Sequence, residues 1–451
     1  MPLLGIPRLK SGSELKKPET MISTLSNGLR IASEETYGQL CTVGILVNVG
    51  SRLETEENQG VTHLLEAMAF KSTVGRSHEQ IMNELETLGA NITTHSSREQ
   101  ILYCVDVLRE YLEPAMSLLS DSILHPLFSE EEVMEQKMVI GYQMQEMTPD
   151  MRMKEALHLV AYKGSPLGNN HYCQQNRMEK LSGQMAKEYC DQYYTAPNMV
   201  LAGAGVDHQT FVELGEKYFS SVSKPGQHHL SKCSASEYTG GLIKMEGVSG
   251  HLREKLTRSC MAFEVGGWND ERFVPTCVLQ TLLGGGDSFS AGGPGKGMYS
   301  RLYREVLNRH YWAESAEAFT SVHLESGLIG ISGASSPENA GKLLNVIASH
   351  FAKLAQVPVE EVELSRAKNM LKCNVLTQLE SRIVLFEDIG RQVLSYGFRE
   401  TPEEVCQRID RVSASDIQEL IKTAMLKPPS IACIGDDTSQ VSDYESIVRW
   451  F

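Results

Sequence analysis

Two distant segments of the chain match each other without a gap, at an offset of 231 residues. Residues 181–205 read LSGQMAKEYCDQYYTAPNMVLAGAG, and residues 412–436 read VSASDIQELIKTAMLKPPSIACIGD. In this register Ser182 falls on Ser413, and Pro197 falls on Pro428. Each segment predicts a helix capped by serine, a proline turn and a buried strand. The match indicates an internal duplication, and the alternative is a chance similarity between two helix–turn–strand units.

Other paired segments follow the same order in the two halves. The pairs are LSNGLRIAS (25–33) with GGLIKMEG (240–247), VGILVNVGS (43–51) with SCMAFEVGG (259–267), and the acidic-start helix patterns at 129–144 and 359–375. Strand patterns alternate with helix patterns throughout both halves. The sequence therefore predicts an α/β (α+β) fold of two homologous domains, each a mixed sheet packed with helices.

The chain of 451 residues is too long for one ordinary core, which agrees with a division into domains. We place an N-terminal domain at 20–222 and a C-terminal domain at 240–445. Residues 223–239 between them are rich in Ser, Gly and Lys and poor in apolar residues, which is typical of a linker.

The net charge of −15 argues against a nucleic-acid partner and suits a basic one. An acidic surface that only keeps the protein soluble is the alternative. None of the ten cysteines forms a C-x-x-C pair, so they are interpreted as buried thiols of a reducing compartment. No uncharged apolar run reaches the roughly 18–20 residues of a membrane helix, and the basic N-terminus lacks the apolar core of a secretory signal.

Residues 62–70, THLLEAMAF, carry an incomplete zinc-peptidase motif. In H-x-x-E-H two histidines one helical turn apart bind the metal, and the glutamate acts as general base. Here His63 holds the first ligand position and Glu66 the base position, but Ala67 has no donor atom. His63 and Glu66 as a polar pair at a helix surface or domain interface are the alternative. His78, His95 and His125 also lie in this half, and none of them is one turn from His63, so they are interpreted as surface or packing residues.

A glycine-rich segment at 284–297, GGGDSFSAGGPGKG, fits neither of two phosphate-binding motifs. Lys296 is followed by Gly297 where a P-loop needs Ser or Thr, and Phe289 takes the last glycine position of G-x-G-x-x-G. Because glycine loses much conformational entropy in helices and strands, we expect an irregular loop. It is either a flexible connection or a binding loop.

The segments 58–73 and 85–128 resemble the active-site region of the pitrilysin-type peptidases (family M16). In active members of that family a downstream glutamate is the third zinc ligand, one turn before a second glutamate on the same helix. The matching helix here is 138–147, where Glu146 fits the second glutamate and Gln143 stands at the ligand position. The resemblance therefore implies that His63, Glu66, Ala67 and Gln143 are vestigial, with no catalytic residue and no metal site in this chain.

The segments 284–312 and 379–394 resemble the α-subunit lineage of mitochondrial processing peptidases, and the resemblance runs from about residue 22 to 440. In that lineage the glycine-rich loop lies across the cleft and helps to recognise presequences. The residues to which this role carries over are Gly284, Gly285, Gly286, Asp287, Ser288, Phe289, Gly292, Gly293, Gly295, Lys296 and Gly297. Asp287 departs from the usual glycine, and it would either attract basic peptides or stiffen the loop.

The resemblance implies two roll-like domains facing each other as half of a clam shell. The other half would be a β-subunit with an intact H-x-x-E-H motif, which would hold the zinc, so this chain needs no cofactor of its own. The substrates would be basic presequence peptides, and the location the mitochondrion, in the matrix or at the matrix face of the inner membrane. The alternative is a purely structural core subunit of ubiquinol–cytochrome c reductase, with the other subunits of respiratory complex III as partners. A third hypothesis is an active zinc peptidase with unusual ligands.

Overall fold

The computed structural model describes residues 18–223, 235–246, 255–288 and 298–451. Within these ranges the chain forms two six-stranded sheets with helices packed against them. The strands are β1 (Thr20–Thr24), β2 (Arg30–Glu34), β3 (Leu40–Val47), β4 (Asn91–Ser96), β5 (Ile101–Leu108), β6 (Met199–Ala204), β7 (Gly241–Glu246), β8 (Thr257–Gly266), β9 (Gly285–Asp287), β10 (Ala313–Val322), β11 (Ser326–Ser335) and β12 (Ser430–Gly435). The predicted fold class is confirmed.

The helices are distributed over both halves of the sequence. Those of the first half are α1 (Val61–Ala67), α2 (His78–Leu88), α3 (Leu112–Leu124), α4 (Glu130–Gln145), α5 (Pro149–Ala161), α6 (Gln175–Met178), α7 (Gly183–Tyr193) and α8 (His208–Phe219). Those of the second half are α9 (Phe273–Leu283), α10 (Ala340–Gln356), α11 (Glu361–Gln378), α12 (Arg382–Tyr396), α13 (Pro402–Arg411), α14 (Ala414–Ala424) and α15 (Tyr444–Val448). Among the described residues, no helix is long and apolar enough to cross a membrane.

The two sheets repeat one arrangement of strands. The first has the order β1-β2-β6-β3-β5-β4, and the second has the order β7-β12-β8-β11-β10-β9. In each, one parallel pair (β2 with β6, β7 with β12) is followed by antiparallel pairs. The sheets differ at their edges, because β1 extends the first sheet beyond β2 and β9 extends the second beyond β10.

The 231-residue offset holds in three dimensions. Adding it to the bounds of α7 and β6 gives the bounds of α14 and β12. The side chains of Ser182 and Ser413 each accept a hydrogen bond from the third helical N–H, at 3.2 Å in both helices. These are the serine caps that the sequence predicts, and they support the internal duplication.

One helix from each half packs on the sheet of the other half. Helix α12 packs on the first sheet, where Phe386 and Ile389 share a core with Leu46 and Ala202. Helix α5 packs on the second sheet, and its Leu157 lies in the apolar core between that helix and the sheet. The opposite face of each sheet is covered mainly by helices of its own half. The two sheets therefore cannot be separated without uncovering one face of each.

The boundary between the halves is marked by residues 235–240, which lie against the first half. Ser236 accepts a hydrogen bond from the Leu167 N–H at 3.0 Å, and the Thr239 N–H donates to the Ala161 carbonyl at 2.8 Å. The rest of the predicted linker, 224–234, lies outside the described residues. The domain limits 20–222 and 240–445 stay a prediction.

Candidate functional site

Helix α1, which carries the incomplete motif, is held at its start by a glutamate from the preceding loop. Its N-cap, Gly60, has a left-handed φ of 93° and offers no side chain to the helix. The Glu54 carboxylate accepts hydrogen bonds from the Gly60 N–H at 2.8 Å and the Thr62 N–H at 2.9 Å instead. Burial raises the pKa of Glu54 to about 7 although these hydrogen bonds oppose the rise. Sequence reasoning missed Glu54, since it lies outside the periodic pattern of the helix.

His63 is a buried neutral imidazole, 6% exposed. The Cys173 N–H donates to its Nδ1 at 3.2 Å. The Tyr172 ring stands edge-on, 5.5 Å away between centroids. Burial lowers the pKa of His63, although Glu66 and Gln143 favour the charged form.

The Glu66 carboxylate is hydrogen-bonded to the last residue of the edge strand β4. Its Oε2 accepts a hydrogen bond from the Ser96 N–H at 2.9 Å and a second, short one from the Ser96 hydroxyl. A general base needs a free carboxylate within reach of the proton that it abstracts. Here the carboxylate instead ties α1 to β4.

Gln143 lies on α4 as the sequence predicts, close enough to His63 to influence the pKa of that imidazole. Glu146 follows directly as the C-cap of that helix and is exposed. The structure thus brings together His63, Glu66 and Gln143. Ala67 is the fourth residue of this set, and its side chain has no donor atom.

This set of residues does not fit a catalytic zinc ion. Such an ion takes three protein ligands from imidazole, thiolate or carboxylate groups. Here His63 offers one imidazole, Gln143 offers only a neutral amide, and the Glu66 carboxylate is hydrogen-bonded to Ser96. In the parts of the chain that the structure describes, no group of three or more His, Cys, Asp or Glu side chains could hold a metal ion. No chemical step through zinc is therefore assigned to this chain.

The other histidines of the first half have contacts of their own. The rings of His95 and His171 lie 6.4 Å apart, and the exposed His125 stands 3.5 Å from Asp121. His78 Nδ1 is 3.2 Å from the Phe70 carbonyl oxygen. These contacts agree with their interpretation as packing and surface residues.

The glycine-rich segment begins as an added edge strand. Residues Gly285–Asp287 form β9, which pairs antiparallel with β10 opposite Ser315–Glu317. The Gly285 N–H donates to Ser300 Oγ at 3.1 Å, and the Ser288 N–H donates to the Glu314 carbonyl at 2.8 Å. The expectation of an irregular loop is therefore wrong for the first residues, because β10 supplies backbone partners that offset the entropy cost of ordering glycine.

Three consecutive glycines allow this pairing. Gly284, Gly285 and Gly286 all have positive φ, and a Cβ on Gly285 would overlap the Ala316 carbonyl. Asp287 is exposed at the sheet edge. The remaining predicted binding residues, Phe289, Gly292, Gly293, Gly295, Lys296 and Gly297, lie outside the described residues.

The corresponding edge of the first sheet differs from this one. Strand β4 pairs with β5, and within the described residues no strand pairs with its other edge. Its first residues Asn91, Ile92 and Thr93 are exposed, and its last residue Ser96 binds Glu66. One half thus presents an open strand beside the incomplete motif, and the other half covers the equivalent strand with its glycine-rich segment.

Comparisons with known families match both halves. The model described as insulinase (peptidase family M16) matches residues 30–175, and the model described as the peptidase M16 inactive domain matches residues 180–371.

Relatives match over nearly the full chain. The probable mitochondrial-processing peptidase subunit alpha-1 of Arabidopsis thaliana is 38% identical, over 100% of this chain and 88% of that protein. The mitochondrial-processing peptidase subunit alpha of Homo sapiens is 35% identical, over 99% of this chain and 88% of that protein. The protein of the same name from Solanum tuberosum is 39% identical, over 96% of this chain and 85% of that protein.

Among solved structures, a chain of complex III2 from Candida albicans with Inz-5 bound has a TM-score of 0.81 at 18% identity. The match covers 95% of this chain and 99% of that chain, and at this identity it bears on the fold alone. The family matches in both halves, together with relatives above 30% identity along the whole length, show that this chain belongs to peptidase family M16.

Proposed function

We propose that this chain is a non-catalytic, substrate-recognising alpha subunit of a mitochondrial processing peptidase. The observation that carries the proposal is the ligand set around His63, where Ala67 and Gln143 replace the second imidazole and the carboxylate that zinc needs. The names of relatives at 35–39% identity agree with it.

The cleavage chemistry then belongs to a partner. That partner is a β-subunit with an intact H-x-x-E-H motif, which holds the zinc ion. The substrates are the presequences of imported proteins, which are rich in arginine and poor in acids. A chain of net charge −15 attracts such peptides and raises their local concentration. Both subunits act in the mitochondrion, in the matrix or at the matrix face of the inner membrane.

The glycine-rich segment is the proposed presequence-binding element of this chain. Two features support this role: β9 anchors the start of the segment on the edge of the second sheet, and Asp287 presents a carboxylate there. The remaining glycines, with Phe289 and Lys296, follow directly in the sequence.

The test compares this chain alone, a matching β-subunit alone, and the two mixed, measuring zinc content and presequence cleavage. The proposal expects zinc only where the partner is present and cleavage only in the mixture. Deleting residues 284–297 should weaken presequence binding and leave the zinc content unchanged. Stoichiometric zinc or cleavage with this chain alone would overturn the proposal.

A purely structural role in ubiquinol–cytochrome c reductase is the second candidate, and the fold that this chain shares with a chain of complex III2 motivates it. Copurification with membrane cytochromes distinguishes the two candidate functions. Cleavage by the partner alone, unchanged on mixing, together with copurified cytochromes, would favour the structural role.

A further inference from the structure

Helix α4 presents an apolar stripe to solvent. Met134, Met138 and Tyr142 are 68%, 56% and 69% exposed. They are spaced four residues apart, so they lie along one side of the helix. Val139 is exposed next to them. We call these four residues the α4 apolar face.

The opposite side of the same helix is apolar as well. Val133 and Ile140 are buried in the core of the first half. A surface helix normally turns polar residues to water, whereas α4 exposes large apolar side chains beside its charged ones. An exposed group of large apolar side chains marks an interaction site. The α4 apolar face is therefore a surface that a partner would cover.

The charges around this face define the partner. Glu131 and Glu135 lie on the same side of α4 and are exposed. The one lysine of the helix, Lys137, is turned away, with its Nζ 3.4 Å from the Glu179 carbonyl oxygen. On α4 the face thus combines apolar side chains with carboxylates, and no lysine or arginine of this helix lies on it. Its complement is an apolar surface flanked by cations.

We infer that the α4 apolar face docks a basic amphipathic helix, the chemistry of a mitochondrial transit peptide. The inference rests on the proposed function and assigns it a second contact surface, on the half of the chain that lacks the glycine-rich segment. From residue 134 to 142 the stripe spans about 12 Å, enough for roughly two turns of a docked helix.

Methionine suits this role because the bound peptides differ in sequence. Its unbranched side chain adapts to different apolar shapes, and surfaces rich in methionine are typical of binders with many partners. The apolar side of the peptide would pack on Met134, Met138 and Tyr142. Its arginines would lie near Glu131 and Glu135.

The test measures how the full chain binds a labelled peptide of roughly 18 residues that forms a helix with leucines on one side and arginines on the other. A scrambled peptide of the same composition has the same charge without the apolar side. The first variant is Met134→Ser/Met138→Ser/Tyr142→Ser. We expect it to weaken binding about tenfold or more, since burying each such side chain contributes to the affinity.

A charge variant, Glu131→Gln/Glu135→Gln, should weaken binding less and flatten its dependence on salt. The matched control is Val362→Ser/Leu376→Ser on α11, whose side chains are also exposed, at 67% and 47%. The control should bind like the unchanged chain, and the scrambled peptide should bind weakly to all variants. Thermal unfolding of each variant verifies that it is folded.

Three outcomes would overturn the inference, and they are separable. Peptide binding that the triple serine variant leaves unchanged would exclude this face while the proposed function stands. If the triple variant no longer bound the β-subunit but still bound the peptide, the face would be a subunit interface. No binding of the peptide by the unchanged chain, and no cleavage in the mixture with the β-subunit, would refute the proposed function itself.

Discussion

At the scale of single residues, the hydrogen bonds of His63 are arranged against metal binding. A zinc-bound imidazole uses one nitrogen for the metal and normally donates its other N–H to an acceptor. Here Nδ1 accepts from the Cys173 N–H, so the single proton of the neutral ring lies on Nε2. In this tautomer Nε2 is a donor, whereas a zinc ligand at Nε2 would need a lone pair there.

This arrangement predicts the result of restoring the missing ligands. The double variant Ala67→His/Gln143→Glu supplies a second imidazole and a carboxylate, so it should bind zinc. Its affinity should be about 10–100-fold weaker than that of an active family member, because the Cys173 N–H opposes the required tautomer. Competition with a chelator measures the affinity, and each single variant is the control. A double variant that binds as tightly as an active relative would contradict this role of Cys173.

The motif with its helical spacing predicted His63 and Glu66 on α1, and the resemblance to the M16 family predicted Gln143 on α4. The sequence did not predict Glu54, Tyr172 or Cys173, which reach the site from loops. Loop residues follow no periodicity, so their contacts appear only in the folded chain. The caps at Ser182 and Ser413 were predictable because a cap and its N–H partner are three residues apart.

At the scale of elements, β9 depends on the absence of a side chain at Gly285. A Cβ at that position would overlap the Ala316 carbonyl, which also pairs with the strand. Gly286 has a positive φ too, but no atom lies within 4 Å of its Cβ position. The two glycines therefore form a matched pair that separates steric overlap from backbone strain.

Gly285→Ala should detach β9 from β10, and Gly286→Ala should keep it attached at a cost of about 1 kcal/mol or more from the strained φ. Hydrogen exchange at the amide of Ala318 on β10, which donates to the Gly284 carbonyl at 2.8 Å, measures the pairing. If the proposed function holds, Gly285→Ala should also weaken presequence binding more than Gly286→Ala does. Equal effects of the two substitutions would mean that the pairing contributes nothing to binding.

At the scale of the whole molecule, the exchanged helices α5 and α12 tie the stability of the halves together. Leu46 in the first sheet packs against Phe386 and Ile389, which belong to the second half of the sequence. All three tryptophans, Trp268, Trp312 and Trp450, are in the second half. Their fluorescence therefore reports unfolding of that half alone.

The substitution Leu46→Ala should lower stability by about 2–5 kcal/mol, since it leaves a cavity in a fully buried core. We expect the tryptophan fluorescence transition to shift together with the circular dichroism transition, although the substitution lies in the other half. Separate transitions, with the fluorescence midpoint unchanged, would show that the halves unfold independently.

The sequence predicted two sheets but did not predict the exchange of helices. The pattern of α12 shows that the helix has an apolar side, and it carries no information on which sheet that side covers. The choice depends on the long-range geometry of the chain, and a close approach helps to determine it: a Cβ on Gly390 would overlap the Leu46 side chain. The duplication could be predicted from the sequence because it repeats local helix and strand patterns. The packing of α5 and α12 on the sheet of the other half depends on the folded molecule.

Two buried histidines meet where the halves join. His158 on α5 and His323 after β10 have their Nε2 atoms 3.2 Å apart, and His158 Nε2 is 2.9 Å from Ser321 Oγ. Burial, with the nearby charge of Arg98, lowers the pKa of His323 to about 3 and that of His158 well below its usual 6.5. Both rings are therefore neutral in the folded protein. Both become protonated in the unfolded chain once the pH falls below about 6.5.

The pH dependence of stability follows from this difference. The stabilisation is fully present above pH 6.5 or so, and it is lost as the pH falls from there towards 3, because the unfolded chain binds the additional protons. Each histidine contributes a slope of at most about 1.4 kcal/mol per pH unit.

The substitution His323→Asn should flatten the dependence of the unfolding free energy on pH between about 7 and 5, measured by denaturant titration. His125→Asn, at an exposed position, is the control and should keep the slope. Glu54, whose raised pKa acts in the opposite sense up to about pH 7, is the same in all three proteins and cancels in the comparison. An unchanged slope in His323→Asn would mean that the junction accepts a proton without unfolding, so that the two halves are held together less tightly than their buried contacts imply.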